Sequence, residues 1–367
     1  VADTTIEWTE FTWNPTTGCD RVSAGCDYCY ALTLAKRLKG MGSAKYQTDG
    51  DPRTSGPGFG IATHKAALLA PLLRKKPTKI FVNSMSDLFH DGVPDEYIAK
   101  VFVVMALSPH HTYQVLTKRH ARMRALLSSP RWRDLLSEAD NWACELDLPY
   151  PTERFLAVRS WIYGTGDWSM PVDPLPHVWL GVSVENQQWA DIRVRALLDT
   201  PAAMHWLSCE PLLGPVDLTA WLDPPLLCRE SCLKTDVTGS RPDCSVACRQ
   251  HAGTMATIGW VVTGGESGRD ARPMHPKWAR SLRDQCWAAD VPFLFKQRGE
   301  WTWDQRGGDN YPEPSHYLNA DGRVVDEGTA LADGGNWLGI WRVGKRHAGR
   351  ALDGVIHDAY PEAVRRG

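Results

Sequence analysis

The chain has 367 residues, 43% of them hydrophobic, and a formal net charge of -2. It is long enough to bury a substantial core, and its near-neutral charge excludes attachment to nucleic acid through a global positive field, so any such binding has to be local. The longest obvious apolar run, residues 101–107, is far too short to span a bilayer, and residues 1–10 carry no charged-then-apolar export signal, so a cytoplasmic protein with no membrane partner is expected.

In chain order, the first strand is expected at residues 7–13. A polar, turn-rich loop follows it, Thr16-Thr17-Gly18-Cys19-Asp20-Arg21-Val22-Ser23-Ala24-Gly25-Cys26-Asp27-Tyr28-Cys29-Tyr30, and the next cysteine is Cys144. Three thiolates, Cys19, Cys26 and Cys29, can hold a four-iron cluster and leave one iron open to a ligand such as S-adenosylmethionine (SAM). A zinc site completed by a distant residue, or packing cysteines, are the alternatives, although the Gly and Asp flanks suit a loop better than a core. Residues 40–60 read as a long loop.

Further strands are expected at 79–83, 112–117, 178–184, 204–209, 259–263 and 292–295, with helices over 94–107, 186–198 and 276–288. Cys286 stands four residues after Leu282 on the last of these helices and reads as core. Residues 131–176 read as a helical insertion, and 223–255 as an insertion carrying Cys228, Cys232, Cys244 and Cys248. Two such i, i+4 pairs could present four thiolates to one metal; zinc fits best, with His251 a substitute ligand, while an auxiliary iron-sulfur cluster and a disulfide pair or free thiols stay open. Residues 301–367, with turn signals at Gly307-Gly308, Asn319-Ala320-Asp321-Gly322 and Gly334-Gly335, read as a small β-rich appendage.

Strands alternating with helices predict an α/β fold, a partial (β/α)6-7 TIM-like barrel over residues 1–300. In such a barrel all strand ends share one rim, and the polar residues following the strands would then converge. They are Asn83-Ser84-Met85-Ser86-Asp87, Thr117-Lys118-Arg119, Ser183-Val184-Glu185-Asn186, Ser208-Cys209-Glu210, Thr263-Gly264-Gly265-Glu266-Ser267 and Lys296-Gln297. Asn83, Asn186 or Ser267 taken singly could equally cap a helix or turn the chain. Catalytic work is expected of Asp87, Lys118, Glu210 and Lys296. Cofactor binding is expected of Tyr28, Ser84, Ser86, Asp87, Ser183, Glu185, Glu210, Gly264, Gly265 and Glu266.

The cysteine loop resembles that of the radical SAM superfamily, including an aromatic residue, Tyr28, before the last cysteine, but six residues separate Cys19 from Cys26 where three is usual. That gap, with Thr12-Trp13-Asn14-Pro15, Asn83-Ser84-Met85-Ser86-Asp87-Leu88-Phe89, Gln114-Val115-Leu116-Thr117-Lys118-Arg119 and Leu207-Ser208-Cys209-Glu210-Pro211-Leu212, is similar to a phage-associated family of three-Cys-motif proteins. The resemblance implies a [4Fe-4S] cluster on Cys19, Cys26 and Cys29, bound SAM, an external one-electron reductant and release of a 5'-deoxyadenosyl radical. It also implies Ser84, Ser86 and Asp87 near the SAM amine. A nucleic-acid base is the first candidate substrate, motivated by that association and by the basic stretch 342–350 flanked by Trp337 and Trp341. A peptide or metabolite substrate, or a nucleic-acid-associated metalloprotein without SAM chemistry, are the competing readings; the sequence carries no reading of oligomeric state.

Overall fold

A computed structural model of the chain describes residues 2–146, 148, 151–164, 172–222, 257–304 and 313–361. The cysteine-rich insertion, with Cys228, Cys232, Cys244 and Cys248, lies outside the described residues.

The strands are β1 Ala2–Asp3, β2 Phe11–Trp13, β3 Thr16–Thr17, β4 Ala62–Thr63, β5 Lys79–Val82, β6 Thr112–Thr117, β7 Val178–Ser183, β8 Met204–Cys209, β9 Ile258–Gly264 and β10 Phe293–Gln297. The main sheet has the order β1-β2-β5-β6-β7-β8-β9-β10. Short β1 is antiparallel to β2, and the seven strands from β2 to β10 are all parallel. Helices make the crossovers, among them Asp95–Ala106 between β5 and β6, Gln187–Leu198 between β7 and β8 and Pro276–Ala288 between β9 and β10.

The sheet is curled. Trp8, just ahead of β2, meets Trp206 of β8 at 5.2 Å and Trp260 of β9 at 6.3 Å between ring centroids, strands that lie on the far side of the sheet order. With period two, Phe81, Trp179, Trp206, Val262 and Leu294 face this concave interior, while Ile80, Val82, Leu180, Val182, Leu207 and Phe295 pack outward against the helices. Gly181 makes room for the stack, because a Cβ there would lie 2.5 Å from the Trp206 indole. Tyr360 closes the interior from below: its hydroxyl pairs with Gln114 and donates to Trp8 O at 3.2 Å. The segment before it lies along the open edge of β10, with Phe295 N donating to His357 O at 2.9 Å.

The expected strands and helices match in position, with one shortened. Residues 7–10 turn instead of extending, since Thr9 N bonds Ile6 O at 3.2 Å, and the turn swings Trp8 into the interior. The helices Arg131–Cys144 and Thr152–Tyr163 occupy the expected insertion, and Cys286 is fully buried. After Glu300, β11 Trp301–Thr302, β12 His316–Leu318, β13 Val324–Val325 and β14 Leu338–Arg342 form an antiparallel sheet in the order β11-β14-β12-β13. Its Trp301, Leu318 and Ile340 join the same core as Leu282 and Phe295. Trp341 is buried and Trp337 half-buried. No described helix is long and apolar enough to cross a membrane.

Candidate active site

The inward parity of β5, β6 and β8 continues one residue past the strand end, and in β10 it falls on Lys296 inside the strand. That carries Asn83, Lys118, Glu210 and Lys296 to the C-terminal mouth of the curled sheet, where they line one cavity of about 370 Å³. The same cavity is lined by Cys19, Cys26, Cys29, Tyr28, Tyr30, Ser84, Ser86, Asp87, Ser183, Gly265 and Glu266. Glu185 does not line it: the side chain is fully buried behind Ser23 and Lys118.

The cysteine loop is tied down on every side by groups other than the thiols. Gly18 bridges Ser86, and its N donates to Met85 O at 3.1 Å. Asp20 accepts from Thr54 Oγ1 at 2.5 Å and pairs with His90 Nε2 at 2.9 Å. Ser23 Oγ donates to Glu185 Oε1 at 2.7 Å, and Gly25 lies so close over Glu185 that a Cβ would strike its side chain. Arg272 grips Glu266 through Nε (2.9 Å) and Nη2 (2.7 Å), donates from Nη2 to Ala24 O at 2.7 Å and lies 5.0 Å from the Tyr28 ring.

The four rim carboxylates fall into two kinds. Asp87 is consumed by the fold: it accepts from Thr117 Oγ1 (2.6 Å), Phe89 N (3.0 Å) and Lys118 N (3.0 Å) and locks the end of β5 to the end of β6. Glu266 is held by Arg272, and Glu185 by Arg193 Nη1 at 2.8 Å, with Lys118 Nζ at 3.5 Å. Glu210 faces the cavity, with Lys296 Nζ at 2.9 Å and two longer contacts from Trp8 Nε1 (3.3 Å) and Ser208 Oγ (3.4 Å).

Burial pushes the Cys19 and Cys29 thiols up from their ordinary range, and for Cys19 the Asp87 carboxylate adds to the effect. Burial opposes the Lys118 ammonium, but Glu185 and the nearby cysteine sulfurs outweigh it and hold its pKa above the ordinary value.

Ser86 is bound to Thr16 and Asn83, and Ser84 to Asn14, so both hydroxyls knit the β2 and β5 loops together. The Ser183 side chain is buried at the cavity wall while its carbonyl accepts from Arg193. Gly264 and Gly265 allow close approach within the chain itself: a Cβ on Gly264 would sit 2.8 Å from Glu210 Oε1, and one on Gly265 would strike Arg298 O. Asn186 is a helix cap, accepting from Trp189 N at 3.2 Å.

Sequence reasoning missed Arg193, Arg272, Ser23 and Trp8. Arg193 had a signal, since it stands on the apolar stripe Ala190, Val194, Leu197 of its helix and therefore needs a buried partner. Arg272 had none.

Cys19, Cys26 and Cys29 are free thiols: Cys19 Sγ lies 3.5 Å from Asp20 O, Cys26 Sγ lies 3.8 Å from Ser23 Oγ, and Cys29 Sγ accepts from the Ala31 and Leu32 backbone. Among the described residues no three His, Cys, Asp or Glu side chains converge as a metal site. The thiols share a cavity and electrostatic reach without being gathered, and sulfur is the kind of donor that an iron-sulfur group takes.

No curated protein and no solved structure matches the chain. One family model, described as "Protein of unknown function (DUF5131)", matches residues 3–361. Because that match covers far more than half of the chain, the whole rim included, the chain belongs to this family.

Proposed function

We propose that this protein is a radical SAM enzyme of partial-barrel type. The observation that carries the reading is the meeting, in one cavity, of three free cysteine thiols with polar residues from the ends of β5, β6, β7, β8 and β10. Cys19, Cys26 and Cys29 would hold a [4Fe-4S] cluster, and SAM would occupy the adjoining space. Once loaded, the site supplies one-electron reductive cleavage of SAM, with electrons from an external reductant.

The chain's own groups prepare that space. Arg272, Glu266, Glu185 and Ser23 fix the cysteine loop before any ligand arrives. The Lys118 and Lys296 side chains at the wall suit a carboxylate, whereas Glu210 suits an ammonium or an N–H. The Trp8 and Phe81 rings floor the cavity and keep water from its base.

The test is anaerobic reconstitution with iron and sulfide, then reduction with dithionite in the presence of SAM. About four irons per chain and formation of 5'-deoxyadenosine are expected, and both are lost when Cys19, Cys26 and Cys29 are changed together to alanine. Full iron content in that variant, or no 5'-deoxyadenosine from loaded wild-type protein, overturns the reading.

A further inference from the structure

We propose that the inner part of the cavity is a well for a nucleobase, the ring on which the enzyme acts. This rests on reading the cavity as the active site. Its floor is apolar and aromatic: Trp8, Phe81 and Leu116 line it, and the Trp8 and Phe81 rings stand edge to face, inclined at 61° with centroids 4.6 Å apart. An aromatic ligand can add its own ring to this edge-to-face cluster.

The wall asks for a particular edge. Lys296 and Glu210 form an ion pair whose side chains are only 19% and 12% exposed, so the carboxylate can only accept and the ammonium can only donate. Glu210's other contacts are long, at 3.3 and 3.4 Å, which leaves it acceptor capacity. Beside Lys296, Gln297 is 5% exposed and lines the cavity. Its Nε2 is committed to Gly265 O at 3.0 Å, while its Oε1 is buried without a partner. Asn83 repeats the pattern: it lines the cavity 3% exposed, its Nδ2 is committed to Thr16 and Ser86, and its Oδ1 has no donor. Buried acceptors without donors are costly, and because both oxygens are sealed from solvent, a small rotation of either amide toward the cavity is what would let a ligand N–H satisfy it.

The complementary ligand has flat apolar faces and an edge on which N–H donors adjoin an acceptor. A nucleobase has both. An indole or phenol ring has the faces with a single polar atom, and a sugar has the polar edge without the faces. At the mouth, exposed Arg21 and Lys345 line the same cavity and suit the phosphate of a nucleotide.

The experiment uses full-length protein without metal or SAM. Saturation-transfer NMR is recorded with the common nucleosides, their monophosphates and short single-stranded oligonucleotides, with L-tryptophan and ribose as controls. Saturation of the ring protons of at least one base is expected. The double variant Glu210→Gln/Lys296→Met strands no charge, and it should weaken that binding about tenfold or more while circular dichroism stays unchanged. Arg21→Ala/Lys345→Ala should weaken the monophosphate or the oligonucleotide but not the nucleoside, and whichever of the two binds tighter tells whether the base arrives free or in a strand.

Absence of nucleoside binding, equal binding of tryptophan, or displacement of every bound nucleoside by SAM would overturn the proposal, the last because the well would then be the cofactor's. Since neither metal nor SAM is present, nucleoside binding in a protein that fails to cleave SAM leaves the well standing and sinks the radical reading. SAM cleavage without nucleoside binding does the reverse.

Discussion

Replacing Glu185 by glutamine keeps the shape of the side chain and removes its charge. In the native protein Glu185 Oε2 accepts from Arg193 Nη1 at 2.8 Å, and both side chains are fully buried. Arg193 Nε and Nη2 already lack partners, so the guanidinium depends on this carboxylate and on the Ser183 carbonyl. Stranding one partner of a buried ion pair costs about 3–5 kcal/mol, and because the glutamine carbonyl can still accept one hydrogen bond, the expected loss is about 3 kcal/mol. Against a total stability of roughly 5–15 kcal/mol the variant still folds. The measurement is the urea midpoint by circular dichroism, paired with hydrogen exchange over residues 19–29, which should quicken because Ser23 loses its charged acceptor. The double variant Glu185→Gln/Arg193→Met removes the stranded cation and should recover much of the midpoint. If Glu185→Gln left midpoint and loop exchange unchanged but abolished SAM binding, the carboxylate would be a cofactor contact and the tie to the loop incidental.

Arg272→Ala should release the Ala24 carbonyl and Glu266 together, and amide exchange in the Ala24–Cys26 turn should rise about tenfold or more, with Arg272→Lys restoring part of the protection. Acid should loosen the helix Pro276–Ala288. His275 caps it by accepting from Lys277 N, and burial with the nearby Lys277 and Arg280 charges lowers its pKa from 6.5 to about 4. The unfolded chain therefore binds the extra proton first, so this contribution is complete above pH 6.5 and is lost as pH falls to about 4, by at most about 3 kcal/mol; His275→Asn should flatten the decline in a pH series of urea midpoints. Gly181→Ala places a Cβ 2.5 Å from the Trp206 ring and should cost about 1–3 kcal/mol, read as a lowered urea midpoint.

The strands were legible because each is a short β-branched or aromatic run ending in a polar turn, and the rim followed from their shared direction. Period two then says which residue at or just past each strand end faces inward, and Lys296 within β10 and Glu210 after β8 obey it. What a single strand cannot reveal is whether a rim acid is free. Glu185, Glu210 and Glu266 look alike in the sequence, yet one is neutralised by an arginine eight residues on, one faces the cavity, and one is held by an arginine six residues on that also crosses to the cysteine loop. Those outcomes depend on packing between distant elements. Trp8 was misread for the same reason, as a strand residue, because its place in the barrel interior is set by partners on β8 and β9.

The bond from Tyr360 to the Trp8 carbonyl joins residues 352 positions apart, and its partner Gln114 lies 246 positions upstream. On the ribosome the parallel strands can assemble in order of synthesis, but the floor of the barrel stays open until residue 360 has left the exit tunnel. Until then the tryptophan-lined interior is reachable from below, and the free edge of β10 is uncovered on the same side. A nascent chain stalled short of that residue would therefore carry both a sticky interior and an unpaired strand, and chaperones that recognise such surfaces have their longest opportunity here.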